Sequence, residues 1–206
     1  MSEKIAIFGG SFNPVHSGHL KIALYAKKEC RLSKVIFLPN SAPPHKDSEG
    51  MADAIHRYNM VSLAIKGCEG LEISDYEMNR TKPSYTIDTM RYMRSLYKGA
   101  ELYFIIGADS LYTLNLWRNY NDLIKECRFI VADRNCAEGS DIERAAEKIR
   151  LDGGNVTLIN MPKTDVTSTM IREIIASGKS ASGYLFPEVE EYINNHNLYK
   201  SNPEGK

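Results

Sequence analysis

Between the apolar run Ile5-Ala6-Ile7-Phe8 and a helical pattern beginning at Leu20 lies the stretch Gly9-Gly10-Ser11-Phe12-Asn13-Pro14-Val15-His16-Ser17-Gly18-His19. A short β-rich run that ends in glycines and opens into a helix reads as the first βα unit of a nucleotide-binding sheet. Gly9 and Gly10 permit a tight turn and let backbone N–H groups come close to a phosphate. Ser17 is the expected N-cap, which puts His19 in the first helical turn, where the positive end of the dipole gathers anions. His16 and His19 stand three residues apart, so both imidazoles can face one point ahead of the helix, an arrangement suited to a polyphosphate. An HxxH spacing by itself equally describes a zinc-ligand pair or two ordinary loop histidines. The preceding strand and Gly-Gly pair are what favour phosphate.

The remainder of the chain continues the alternation. Strand-like runs occur at Ile5–Phe8, Val35–Leu38, Leu71–Ile73, Leu102–Ile106, Phe129–Val131 and Val156–Ile159. Helical patterns fill the intervals at Leu20–Cys30, Ala54–Ile65, Thr86–Tyr97, Leu111–Leu114, Asn121–Cys127, Ile142–Ile149 and Met170–Ala176, and Pro187 opens a last one. Ile55, Tyr58, Val61 and Ile65 recur at helical spacing and read as core, as do Ile87, Met90, Met93 and Tyr97. This order predicts an α/β fold, Rossmann-like and doubly wound, with a mostly parallel sheet and helices on both faces. The 206 residues suffice for one sizeable domain, placed at residues 1–200, followed by a polar tail over 201–206.

Lys+Arg and Asp+Glu each number 26, a formal net charge of zero, so no basic surplus advertises nucleic acid or an anionic membrane. No run approaches a membrane span and no signal peptide precedes the first strand. The cysteines, Cys30, Cys68, Cys127 and Cys136, form no CxxC pair and lie in or beside apolar segments. Reduced, packed thiols in a cytoplasmic protein are expected.

In a parallel sheet of this kind ligands bind beyond the carboxyl ends of the strands, so the residues following each strand carry the information. After the second strand, Pro39-Asn40-Ser41-Ala42-Pro43-Pro44-His45-Lys46 is an extended loop, either a solvated linker or one that offers His45 and Lys46 to a phosphate. Arg57, in the first turn of the next helix, opposes the dipole and hints at an anionic partner. In Thr81-Lys82-Pro83-Ser84-Tyr85-Thr86, capping accounts for either Ser84 or Thr86. Gly107-Ala108-Asp109-Ser110 sets a small residue and an acid after a strand, which suits a ribose diol or an N-cap. Trp117, the only tryptophan, is either core or an aromatic face that stacks on an electron-poor ring. In Asp165-Val166-Thr167-Ser168-Thr169-Met170-Ile171-Arg172, Ser168 or Thr169 is the expected cap. Arg172 again opposes a dipole unless an anion is present.

The strand followed by His16-Ser17-Gly18-His19 resembles the HxGH element of the nucleotidyltransferase superfamily. The longer Gly-Gly-Ser-Phe-Asn-Pro-x-His-x-Gly-His string resembles the nicotinate/nicotinamide mononucleotide adenylyltransferases, and the PPHK and Ser-Tyr-Thr elements resemble the bacterial nicotinate enzymes. The likeness covers nearly the whole chain, with the motifs in family order. Asn13 stands where many relatives carry Asp, and Thr167 replaces the first Ser of the [IV]SSTxIR element while keeping its hydroxyl.

The resemblance implies transfer of AMP from ATP to nicotinate mononucleotide. His16, His19, Lys46 and Arg172 are the implied catalytic residues. ATP is implied to meet Gly9, Gly10, Ser11, Phe12, Gly18, Gly107, Asp109, Ser168 and Thr169 besides His16, His19 and Arg172. Nicotinate mononucleotide is implied to meet Asn13, His45, Lys46, Ser84, Tyr85, Thr86 and Trp117. Mg²⁺ is expected to travel with ATP, held by phosphates and water, since the motifs offer no clustered carboxylates. A homo-oligomer is left open.

The mononucleotide phosphate is already ionised at neutral pH, so the expected catalysis is positioning plus charge stabilisation, with no general base and no covalent intermediate. Other adenylyl- or cytidylyltransferases, acting on phosphopantetheine or glycerol phosphate, are the rivals within the class. A class I aminoacyl-tRNA synthetase would need a KMSKS loop, which is absent. A non-catalytic dinucleotide-binding module would not need His16, His19 and Arg172 together.

Overall fold

Apolar residues on both faces of each strand, with helical stripes between, require a sheet covered on both sides. The computed structural model describes residues 2–41, 50–80, 84–133, 141–162 and 164–200. His45, Lys46, Cys136, Thr81, Lys82, Pro83 and the 201–206 tail lie outside them.

The elements run β1 (Lys4–Gly10), α1 (Ser17–Glu29), β2 (Lys34–Pro39), α2 (Ala54–Ala64), β3 (Leu71–Ile73), α3 (Thr86–Leu96), β4 (Glu101–Gly107), α4 (Ala108–Tyr112), a 3-10 turn (Leu114–Leu116), α5 (Tyr120–Glu126), β5 (Arg128–Asp133), α6 (Asp141–Leu151), β6 (Asn155–Asn160), α7 (Ser168–Ala176) and α8 (Pro187–Asn195). All six anticipated strands form. The strand order is β3-β2-β1-β4-β5-β6, every neighbour pair is parallel, and the order reverses between β1 and β4. This is the doubly wound arrangement, in which the reversal opens a crevice.

Alternate residues of the strands feed two cores. Ala6, Phe8, Val35, Phe37 and Ile105 pack with Ala23 and Ala26 of α1, Met60 and Val61 of α2, Ile171 of α7 and Val189 of α8. Ile5, Ile7, Ile36, Phe104 and Phe129 face Ile87, Met90 and Met93 of α3, Leu123 of α5 and Ala146 of α6. Each fully buried large apolar side chain contributes about 1.5–3 kcal/mol to this packing.

The α2 stripe differs from the expectation. Ile55 is 54% exposed, and the buried face consists of Arg57, Met60, Val61 and Ala64. Val61 and Ile65 are core as expected, whereas Ile55 faces solvent and Arg57 takes a core position that a hydrophobicity pattern cannot mark.

Candidate active site

The crevice begins where pairing stops. β1 and β4 are in register from Lys4↔Glu101 to Phe8↔Ile105, yet β1 continues through Gly9 and Gly10 and β4 through Ile106 and Gly107. These strand ends line a cavity of about 520 Å³ with Asn40, Glu77, Ser84, Tyr85, Thr86, Ser110, Leu116, Trp117 and Arg118. The glycines act through close contact. A Cβ on Gly9 would stand 2.8 Å from the Phe104 ring, and one on Gly10 would stand 3.1 Å from Phe12. The left-handed residue of the following turn is Phe12 itself, at φ 47°. Its ring is buried against Phe8, Phe37 and His19.

The start of α1 corrects the expected cap. His16, not Ser17, is the N-cap, and its Nδ1 accepts from the Gly18 amide at 3.2 Å. The His16 amide donates in return to Nδ1 of His19 at 3.3 Å, a reciprocal arrangement like a capping box. Ser17 N–H is bonded to the Tyr184 carbonyl at 3.1 Å. These first-turn amides are therefore engaged inside the protein. Because each Nδ1 accepts a hydrogen bond, the neutral rings carry their protons on Nε2. The two rings lie face to face at a tilt of 32°, with centroids 3.8 Å apart, and His16 is 3% exposed. Gly18 makes this possible, since a Cβ there would lie 3.0 Å from both the His16 ring and Val166.

Four polar residues serve the framework. The Arg57 guanidinium, with the residue 0% exposed, donates to the carbonyls of Ala52, Ser11, Asn40 and Ser41 at 2.6–2.9 Å and to Asn40 Oδ1 at 3.3 Å. Burial pulls its pKa below the ordinary value, while Tyr199 and Asp53 oppose that shift. Its anion is this fan of carbonyl dipoles, so the hint of an anionic ligand at Arg57 is withdrawn. Asn13 is likewise buried. Its Oδ1 accepts from Ala52 N–H (3.0 Å) and the Tyr199 hydroxyl (2.7 Å), and its Nδ2 donates to the Gly50 carbonyl (3.2 Å). Its side-chain amide thus ties three segments together. At α7 the cap is Thr167, whose hydroxyl accepts from Met170 N–H at 3.1 Å. Ser168, expected as a cap, donates to the Pro14 carbonyl at 2.9 Å instead and clamps α7 to the histidine loop.

Arg172 reaches the same loop. One guanidinium nitrogen donates to the Asn13 carbonyl at 2.8 Å and another to the Thr169 hydroxyl at 3.3 Å. The C-terminal element is thereby brought beside His16 and His19, more than 150 positions away in the chain.

At the other end of the crevice, Trp117 is half-buried, edge-on to Phe104 with centroids 6.3 Å apart. Arg118 lies over the Tyr85 ring at 4.4 Å. Neither Ser84 nor Thr86 caps α3: the N-cap is Tyr85, without a side-chain bond. The Ser84 oxygen is buried with no hydrogen-bond partner among the described residues, and it lines the cavity. A buried hydroxyl left this way calls for a ligand or water. Asp109 is exposed in the first turn of α4, whose N-cap is Gly107, so it is not a capping residue. Gly107 lines the cavity.

Glu77 and Arg118 also line it and were not singled out from the sequence. The Glu77 carboxylate accepts from the Thr89 hydroxyl at 2.7 Å. Burial raises its pKa, against the lowering influence of Thr89 and Arg80. The turn residues around Glu77 carry no periodic signal, although Arg118 adjoins Trp117 and could have been noted. Burial also drives the Cys127 thiol far above its ordinary value, and Cys30 and Cys68 are free thiols, half-buried. Among the described residues no cluster of three or more His, Cys, Asp or Glu could hold a metal, and no helix is long and apolar enough to cross a membrane.

Comparison with known proteins places this geometry in a family. A family model described as cytidylyltransferase-like matches residues 7–174. The probable nicotinate-nucleotide adenylyltransferase of Caldicellulosiruptor bescii is 42% identical over 200 residues, covering 96% of this chain and 99% of the relative. That of Thermoanaerobacter sp. is 40% identical over 204 residues, covering 98% and 96%. The fold is shared with the Plasmodium falciparum nicotinic acid mononucleotide adenylyltransferase complexed with NaAD. The TM-score is 0.81 at 22% identity, over 98% of this chain and 100% of that one. With its motifs, its sheet order and its full-length relatives in agreement, the chain belongs to the cytidylyltransferase-like nucleotidyltransferases, in the nicotinate-nucleotide adenylyltransferase family.

Proposed function

We propose that this protein transfers AMP from ATP to nicotinate mononucleotide, releasing pyrophosphate and forming deamido-NAD, as a cytoplasmic step of NAD biosynthesis. The observation that carries the reading is the crevice at the β1–β4 reversal. It brings together a Trp117-lined cavity, whose Ser84 hydroxyl has no partner among the described residues, with a close-set histidine pair and Arg172 at the loop that follows β1. Such a site has separate places for a triphosphate and a pyridine ring.

In this reading the mononucleotide phosphate oxygen attacks the α-phosphorus of ATP. The bond from that phosphorus to the bridging oxygen breaks, and the electron pair leaves with pyrophosphate. The Nε2–H groups of His16 and His19 donate to phosphate oxygens whose charge grows during transfer, and Arg172 meets the β/γ end. Backbone groups of Gly9, Gly10 and Ser11 approach the reacting phosphates, and Gly107 with Asp109 receives the adenosine ribose. Trp117 stacks on the pyridine while Ser84, Tyr85 and Thr86 meet its carboxyl substituent. His45 and Lys46 are assigned to the phosphates from their motif alone. Magnesium accompanying ATP would supply charge neutralisation for the pyrophosphate, and no residue of this chain is assigned to hold it.

The test is pyrophosphate release with ATP and, in turn, nicotinate mononucleotide, nicotinamide mononucleotide, phosphopantetheine and glycerol phosphate. Release with the pyridine nucleotides alone is expected. Turnover of one of the other acceptors, or none at all, overturns the reading.

A further inference from the structure

The last turn of the described chain reaches back into the site. After α8 the chain passes through left-handed residues at Asn197 (φ 52°) and Tyr199 (φ 63°), and this bend carries the Tyr199 ring onto the first core. Positive φ at a tyrosine is uncommon and is retained where surrounding contacts over-determine it. The contact here is a 2.7 Å hydrogen bond from the Tyr199 hydroxyl to Asn13 Oδ1, across 186 positions of sequence. Asn13 in turn offers its main-chain carbonyl to Arg172 at 2.8 Å, so Tyr199 and Arg172 hold the same residue from its two ends. Phe12, immediately before Asn13, is also left-handed, at φ 47°. The loop leading to His16 is therefore set by side-chain ties rather than by local backbone preference.

We propose that Tyr199 is a positioning residue for the phosphate end of the active site: by fixing Asn13 it fixes the carbonyl that aims Arg172. This rests on the assignment of Arg172 to the ATP phosphates. An ordinary phenol is already a donor at physiological pH, and burial raises the Tyr199 pKa further despite the nearby Arg57 and Arg172. The Asn13 oxygen keeps a second donor, Ala52 N–H at 3.0 Å. Loss of the hydroxyl therefore loosens the loop without leaving that oxygen unpaired.

The experiment is a double-mutant cycle on Tyr199→Phe and Arg172→Ala, with KM for ATP, KM for nicotinate mononucleotide, kcat and thermal midpoint measured for each. Tyr199→Phe keeps the packed ring and removes one neutral hydrogen bond. The expected result is an increase of about fivefold in KM for ATP, the size of one such bond. KM for the mononucleotide should hold within about twofold. In the Arg172→Ala background the further change should fall to about one, because the group being positioned is gone. If Arg172→Ala raises KM for ATP but Tyr199→Phe does not, or if the two effects multiply independently, the positioning role is overturned. If Arg172→Ala leaves ATP kinetics unchanged, the phosphate assignment of Arg172 fails first. A fall in thermal midpoint with kcat and both KM values shifted alike would make Tyr199 a packing residue only.

Discussion

His16 and His19 lie against one another at the head of α1, centroids 3.8 Å apart, with Nδ1 of His19 accepting from the His16 amide and Nδ1 of His16 from the Gly18 amide. Each ring is thereby held in the tautomer whose Nε2 is the donor, before any ligand arrives. Donors fixed in advance avoid reorganisation when charge develops.

Replacing either ring should consequently cost turnover far more than folding. His16→Ala and His19→Ala are each expected to lower kcat by about 10²–10³-fold, the usual loss for one preorganised donor. His16→Ala also removes the α1 cap, worth about 1 kcal/mol, so its thermal midpoint should fall by a few degrees. Steady-state kinetics with melting curves check both, and near-normal turnover in either variant contradicts the assignment.

Arg57 should behave in the opposite way. Removing the guanidinium strands four main-chain carbonyls it now satisfies. Arg57→Met is expected to destabilise by about 3–5 kcal/mol, since several buried acceptors lose their partner at once. In a chain of this size that corresponds to roughly 10 °C in thermal midpoint. A variant that melts normally but binds ATP poorly would restore Arg57 to the ligand site.

Glu77 provides a pH signature. Its folded-state pKa is raised by burial, so its contribution to stability is fully present below the unfolded carboxyl pKa and is lost as pH rises through the folded value. Glu77→Gln keeps an acceptor for Thr89 and has no charge to bury. The stability of this variant relative to the parent should therefore increase as pH is raised from the unperturbed carboxyl range, about pH 4, towards neutrality. Denaturant melts across that interval measure it. A difference that stays flat with pH would show that the carboxylate is not penalised by its surroundings.

The ring end of the cavity should discriminate the acid from the amide. In the proposed site a carboxylate would accept from the Thr86 hydroxyl and neighbouring N–H groups, whereas the amide would bring a donor those groups leave unpaired. Such a mismatch can reach roughly 10⁴-fold in kcat/KM. Nicotinate mononucleotide should be strongly preferred, and Trp117→Ala should weaken both substrates alike because stacking ignores the substituent. Comparable kcat/KM values for acid and amide would mean the pocket selects on something else.

How much of this was legible without coordinates follows from which interactions are local. The six strands and the helices between them were readable because burial on both sheet faces imposes a period on the residues themselves. The doubly wound class follows from their alternation, and the motif order marks which strand ends carry the site. Cap positions differ by one or two residues, His16 for Ser17, Tyr85 for Ser84 or Thr86, and Thr167 for Ser168 or Thr169, since neighbouring polar side chains compete for the same amide and only the entry angle of the chain selects one.

The partners of buried polar groups were decided by tertiary structure alone. Sequence shows that Arg57 is charged and early in a helix; it does not show that carbonyls 5 to 46 positions away converge on it. Asn13 reads as a loop residue until Gly50, Ala52 and Tyr199 surround it, and Glu77 as a surface acid until Thr89 and the cavity wall enclose it. Periodicity reports which face of an element turns inward. A hydrogen-bonding group takes its meaning from whichever distant segment packing brings within 3 Å, and that distance exists only in the folded chain.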